Sequence, residues 1–438
     1  MTRTTRPTIF TVQADRHLVR ADQPDERHIL VRLTAPEARR STKATAPARP
    51  GVNVCFVLDR SGSMAGPKLE LARYAVERAL TGLAPQDRFA IVTYDDRVEL
   101  VAKSAKATDI AKHQALVALQ SVDPRGSTAL HDGWSRGAET IKRRLDPKAV
   151  NRVLLLTDGL ANVGETDPQT LAAFAADLRA SGLPTSTFGV GADFDEALLQ
   201  AIADAGGGHF YYIEHPQQIP DYMTGELGEL LETVARSVVV GVKHAPGLRV
   251  VPVSPIAAKA ADLGELDVLL GDLVAGQDVE LVLSVEFPAA SAVGAQTTLF
   301  FTVADRDGVL KADGCTVDFE SADAAACKTE KPNADVERAV AKLKVAQARQ
   351  ESVRLNRAGE FKRASRSLQS VAEFLAPFDD AETQDLRAQL KVEAEQLQDP
   401  MSELNLKSIH SRGYNLSRSR DELGRARRSG RETPVKRT

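Results

Sequence analysis

Cysteine is scarce in this chain: three residues in 438, and an odd number. Cys55 lies inside an apolar run, and Cys315 and Cys327 stand far from it. A disulfide framework is therefore not expected, and a reducing interior suits the chain better. No stretch approaches the roughly 18 apolar residues of a membrane span. The opening MTRTTRPTIFTVQADRHLVR carries positive charge but lacks the apolar run of a secretory signal. A cytoplasmic protein is the expectation. Net charge is only -4, which gives the molecule as a whole no reason to bind nucleic acid. Also missing are a Gly-x-x-x-x-Gly-Lys-Ser/Thr phosphate loop, a His-Glu-x-x-His metal motif and a Gly-x-Ser-x-Gly elbow. Gly189-Val190-Gly191 lacks the third glycine of a nucleotide loop. These absences argue against an enzyme.

Hydrophobic residues make up 43% of the chain, ample for a large core, and the length suits two to three domains. Two strands are expected near the start, Ile9–Gln13 and His28–Leu33, followed by a polar linker from Pro36 to Pro50 with three prolines. From 51 to 235, apolar runs alternate with amphipathic stretches. VNVCFVLD (52–59), RFAIVTYDD (88–96), RVLLLTD (152–158), PTSTFGVG (184–191) and GHFYYIE (208–214) read as strands. Helical patterns at 68–83, 109–121, 129–145, 168–182, 194–205 and 217–235 separate them. Such alternation predicts a doubly wound, Rossmann-like, mostly parallel α/β sheet.

From 236 to 325 six short strand patterns predict an antiparallel β-sandwich. The two N-terminal strands (within 1–50) are expected to join it, because isolated strands need partners. Residues 334–399 read as a helical segment, with Gly359 separating the first two helices of a hairpin. Residues 400–438 read as a basic, disordered tail. From Ser411 to Thr438 nine Arg or Lys face three Asp or Glu, a charge suited to docking on an acidic partner.

The sharpest feature is Asp59-Arg60-Ser61-Gly62-Ser63, at the C-terminal end of a buried strand and just before a helix. Ligands bind at that place in open α/β sheets. One carboxylate and two hydroxyls form an oxygen-only set that suits a hard cation such as Mg²⁺ or Mn²⁺. Arg125-Gly126-Ser127-Thr128 offers a further hydroxyl before a helix, and Thr157-Asp158-Gly159 a second carboxylate at a strand end. Strands ending at Asp59 and Asp158 would be neighbours across the switch point of the sheet, which brings all five side chains together.

These residues resemble the metal-ion-dependent adhesion site of von Willebrand factor type A domains. The resemblance covers about residues 50 to 235, and FGVGADFDEALLQAIADAGGGHFYYI (188–213) is similar to the end of such domains in bacterial proteins. It implies that Ser61, Ser63 and Thr128 ligate the ion directly or nearly so, and that Asp59 and Asp158 bind it directly or through water. The ion would be Mg²⁺, with Mn²⁺ or Ca²⁺ as alternatives. A Glu or Asp of a partner protein would complete the shell. The domain order also resembles bacterial chaperone-associated or signalling proteins of this group and the inter-alpha-trypsin inhibitor heavy chains; the intracellular bacterial type is the expectation.

The expected function is a metal-dependent protein-interaction or scaffold module. An alternative is a regulatory subunit of an AAA+ ATPase or of a kinase and phosphatase pair. A third reading, a metal-dependent phosphatase of the haloacid dehalogenase kind, wants a second Asp two positions after Asp59, where this chain has Ser61. His131 and Trp134 are expected to pack, Tyr211 and Tyr212 to be strand residues, and Cys55 to be a small core residue.

Overall fold

The computed structural model describes residues 8–38, 49–289 and 292–428. Three strands open the chain: β1 (Ile9–Ala14), β2 (Leu18–Arg20) and β3 (Asp25–Thr34). The central α/β unit follows: β4 (Val52–Asp59), α1 (Pro67–Gly82), β5 (Arg88–Tyr94), β6 (Val98–Lys106), α2 (Asp109–Gln120), α3 (Leu130–Lys142), β7 (Val150–Thr157), α4 (Pro168–Ala180), β8 (Thr185–Val190), α5 (Glu196–Gly206), β9 (Gly207–Ile213) and α6 (Ile219–Leu231). Then come β10 (Thr233–Lys243), β11 (Arg249–Pro252), β12 (Ala258–Asp262), β13 (Glu265–Val274), β14 (Asp278–Phe287), β15 (Gln296–Ala304) and β16 (Cys315–Ala322). Five helices close the described chain: α7 (Ala324–Thr329), α8 (Ala334–Arg357), α9 (Phe361–Phe374), α10 (Ala381–Gln396) and α11 (Glu403–Ser417).

The central sheet runs β6-β5-β4-β7-β8-β9, parallel except for β6, which joins β5 antiparallel. The chain lays strands to one side of β4 and then crosses to the other, so β4 and β7 flank the switch point. All eight residues of β4 are buried. Val54, Phe56 and Leu58 face one helical layer with Leu69, Val76 and Leu80, while Cys55 and Val57 face the other with Trp134 and Ile141. Each such apolar side chain stabilises the fold by about 1.5–3 kcal/mol. Helix α3 sits unusually close to the sheet. A Cβ at Gly133 would fall 2.4 Å from the Tyr94 ring, and one at Gly137 would fall 2.4 Å from Val57.

The expected helix 217–235 ends earlier, at Leu231, because Thr233 already pairs with Val274 in a sheet. That sheet, β12-β13-β10-β15-β16-β2, faces a second one, β1-β3-β14-β11, across an apolar core that includes Ile29, Val31, Val240, Leu283, Phe301 and Phe319. Strands from before and after the α/β unit thus share one sandwich: β3 pairs with β14 over its whole length. The sequence pattern missed β2, β12 and α7, which have three, five and six residues.

The tail is the main correction. Residues 400–428 are not a disordered tail: α11 and the segment after it pack between the α/β unit and the sandwich. Tyr414 is fully buried against Phe210. The phenol accepts from the Phe210 N–H at 3.2 Å and donates to Asp204 at 3.3 Å. Several of its basic residues are matched rather than solvated: Arg418 pairs with Asp204, Arg420 with Glu229 at 3.0 Å, and Arg428 with Glu232 at 2.6 Å. On the sandwich side, Asp278 N–H donates to Arg427 O at 2.9 Å. Composition alone shows a positive run; it cannot show that acidic ends of α5 and α6 await it. Residues 429–438, like most of the 36–50 linker, lie outside the described residues. No helix of the described residues is long and apolar enough to cross a membrane.

Candidate functional site

Asp59 ends β4, and Asp158 directly follows the last residue of its neighbour β7. Both carboxylates are fully buried. From Asp59 the chain turns through Ser61 and a short 3-10 turn, Gly62–Met64, into α1. Ser61 N–H donates to Asp59 Oδ1 at 2.7 Å, which curls the loop back over the strand end. The Ser61 and Ser63 hydroxyls lie 3.1 Å apart, and Ser63 donates to Asp158 Oδ1 at 2.6 Å. Four of the five predicted residues therefore form one hydrogen-bonded chain.

Backbone pairing carries the fifth. Arg125 N–H donates to Arg60 O at 2.9 Å and Gly62 N–H to Gly126 O at 3.1 Å, so the two loops are stitched together. Thr128 N–H donates to the Asn162 side chain at 2.9 Å. A Cβ built on Gly159 would meet the Thr128 hydroxyl at 3.5 Å and the Ser63 hydroxyl at 3.7 Å, so these two oxygens flank Gly159. Thr128 is buried, whereas Ser63 is exposed at the mouth.

Several supporting residues escaped the sequence reading. Thr157 donates to Asp59 Oδ2 at 2.6 Å. Asp95, buried beyond the end of β5, accepts from Arg60 and from Arg125, each at 2.8 Å, and holds both loops to the sheet. Burial works against the ionised Asp95, but the hydrogen bond from Arg125 and its other donors keep its carboxyl below the ordinary value. Lys68 places its ammonium on Asp158 Oδ2. A faint signal for Lys68 was present: a lysine in the first turn of a helix opposes the helix dipole and so needs a local partner.

Burial pushes the Asp59 carboxyl up to about 6, and the charge of Asp158 adds to the rise; hydrogen bonds from Thr157 and Ser61 oppose it. A cation beside Asp59 would favour its ionised form. The donor set fits a hard divalent ion: two carboxylates, three hydroxyls, no sulfur and no imidazole.

His131 packs edge-on against Phe174 with ring centres 5.1 Å apart. Trp134 is buried and donates to Thr185 at 3.1 Å. Gly189 makes room for Phe194, which a Cβ there would meet at 2.3 Å, so it belongs to packing and not to a phosphate loop. A second metal-like cluster among the described residues, His209, Glu226 and Glu229, is filled by the Arg420 guanidinium. It is an internal ion network that clamps the C-terminal segment.

Residues 53–224 match the family model of the von Willebrand factor type A domain. YfbK of Escherichia coli (strain K12) is 33% identical over 201 residues, 45% of this chain and 34% of the relative. Human inter-alpha-trypsin inhibitor heavy chain H4 is 30% identical over 166 residues, 36% of this chain and 17% of the relative. The chain thus spans about a third of the first relative and less than a fifth of the second. Two solved structures resemble it over nearly its whole length. The von Willebrand factor type A protein from Catenulispora acidiphila gives a TM-score of 0.68 at 19% identity, covering 94% of this chain and 91% of that one. The ArnB paralog VWA2 from Sulfolobus acidocaldarius gives 0.61 at 16%, covering 94% and 99%. At such identities the likeness is one of fold. Residues 53–224 carry a von Willebrand factor type A domain, set in a larger architecture of sandwich and C-terminal helices.

Proposed function

We propose that the chain is a metal-dependent protein-interaction module whose site is Asp59, Ser61, Ser63, Thr128 and Asp158. The observation that carries this reading is the pair of buried carboxylates at the ends of adjacent strands, joined through the hydroxyls of buried Ser61 and exposed Ser63. These oxygens would hold Mg²⁺, or Mn²⁺ or Ca²⁺ in its place. A bound divalent ion supplies a Lewis-acidic position that a Glu or Asp of a partner protein completes. Asp59 is held from both sides by Thr157 and Ser61, so its carboxylate is pre-oriented. Asp95, Arg60 and Arg125 fix the loops that present the hydroxyls. Binding, not turnover, is the activity proposed. A cytoplasmic bacterial setting accompanies this reading.

The test is affinity capture from the native lysate, with Mg²⁺ and with EDTA, using wild type and Asp59→Ala. A partner retained only by wild type with metal supports the proposal. The same proteins in all conditions would place the working surface elsewhere, on the sandwich or the C-terminal helices.

A further inference from the structure

Among the described residues, Lys68 is the cation that contacts a carboxylate of the five-residue site. It is the second residue of α1, directly after Pro67, and its ammonium sits on Asp158 Oδ2. The carboxylate it contacts is fully buried, while the lysine side chain keeps 24% of its surface exposed. Asp158 is therefore shared: its Oδ1 takes the Ser63 hydroxyl at 2.6 Å and its Oδ2 takes Lys68. Among the described residues no such cation lies on Asp59, whose two oxygens accept from Thr157 and from the Ser61 N–H.

The charge count then decides what the site wants. Two aspartates and one lysine sum to one negative charge. A divalent ion brings the set to one positive charge, and a single carboxylate from outside brings it to zero. Without the lysine, the divalent ion alone would neutralise the two aspartates, and nothing would call for an anion. Charges this close interact strongly where water is excluded, so one ammonium matters.

We propose that Lys68 is a positioning residue that sets the charge of the metal site, weakening its grip on the ion alone and making the loaded site demand an acidic ligand. The proposal rests on the metal-binding reading above. It differs from a plain surface ion pair, which would add little to stability and would leave ligand preference unmoved.

The test uses the full chain at pH 7.5 and low salt, with Mn²⁺ alone and then Mn²⁺ with acetate as the carboxylate probe, read by calorimetry. Lys68→Met keeps the length of the stem and removes the charge; Lys68→Arg keeps the charge. Lys68→Met should bind Mn²⁺ about tenfold more tightly, equivalent to about 1.4 kcal/mol. Acetate should strengthen Mn²⁺ binding severalfold in wild type and in Lys68→Arg, and much less in Lys68→Met. Circular dichroism checks that each variant folds, and Lys68→Gln replaces Lys68→Met should that protein misfold. If wild type binds Mn²⁺ but Lys68→Met binds it equally or more weakly, with the same acetate effect, the role of Lys68 is overturned and the metal site stands. If wild type takes up no more Mn²⁺ than Asp59→Ala, the metal reading itself fails, and the role of Lys68 falls with it.

Discussion

Thr157 donates its hydroxyl proton to Asp59 at 2.6 Å, across the seam between the two strands that end at the site. Both residues are fully buried. A hydrogen bond to a buried charged group is worth about 1.5–3 kcal/mol. Thr157→Val keeps the shape and removes the donor. It should lower stability by about that much and weaken Mn²⁺ binding, because the carboxylate loses one of its two anchors. Urea unfolding with and without Mn²⁺ reads both effects; unchanged midpoints in both series would mean that Thr157 does not orient Asp59.

Acidity gives a second handle. Burial first, and the charge of Asp158 next, raise the Asp59 carboxyl from 3.8 to about 6. The folded chain without metal therefore holds this proton more tightly than the unfolded chain. The resulting stability is present below about pH 4 and fades as pH rises through about 6. Metal competes with the same proton, so its affinity should climb between pH 5 and 7 and then level off. Melting temperatures with and without Mg²⁺ should separate little at pH 5 and clearly at pH 7.5. An equal separation at both would show that Asp59 does not take part.

Gly159 sits between the Thr128 and Ser63 hydroxyls, with 3.5 and 3.7 Å to a Cβ placed there. Alanine fits at ordinary contact distance. A branched or longer side chain would cover the mouth while leaving the sheet untouched. Gly159→Ala should therefore bind partner nearly as well as wild type, and Gly159→Leu should lose it at least tenfold with little change in unfolding. Surface plasmon resonance with the captured partner distinguishes the two; full binding by Gly159→Leu would mean that the partner does not approach from this side.

Away from the site, Glu196 joins three elements. It pairs with Arg357 from α8 and with Lys407 from α11, which is itself buried. Burial alone would raise its carboxyl, but Arg357 and Lys407 outweigh that and hold it at about 2. The stabilisation is complete above the ordinary value of 4.5 and is lost as pH falls towards about 2. Glu196→Gln leaves the Lys407 charge without its counter-ion and should cost about 3–5 kcal/mol at neutral pH. That gap should close as the pH falls from 4.5 towards 2. A gap independent of pH would assign the cost to packing.

Much of this was legible in the sequence because it depends on local pattern. Strand β4 is apolar on both faces, so its eight residues announce a central parallel strand. Asp59, Ser61 and Ser63 lie on one turn, so their convergence is written in their spacing. Thr128 and Asp158 needed the strand order as well, and the alternation of elements supplied it. What was not legible depends on distant charge. Arg418 and Arg420 read as solvated tail residues until Asp204 and Glu229 are seen to face them. Lys68 is only the first residue of an expected helix until Asp158, ninety positions later, is seen beneath it. Short strands such as β2 carry too few residues to show a period.

The most direct test of the central claim is to grow crystals in MnCl₂ and calculate an anomalous difference map. One strong peak per chain is expected, bounded by Ser61, Ser63, Thr128 and Asp158, and it should disappear in Asp59→Ala. A map with no peak there, or with its peak at His209, Glu226 and Glu229 instead, would contradict it.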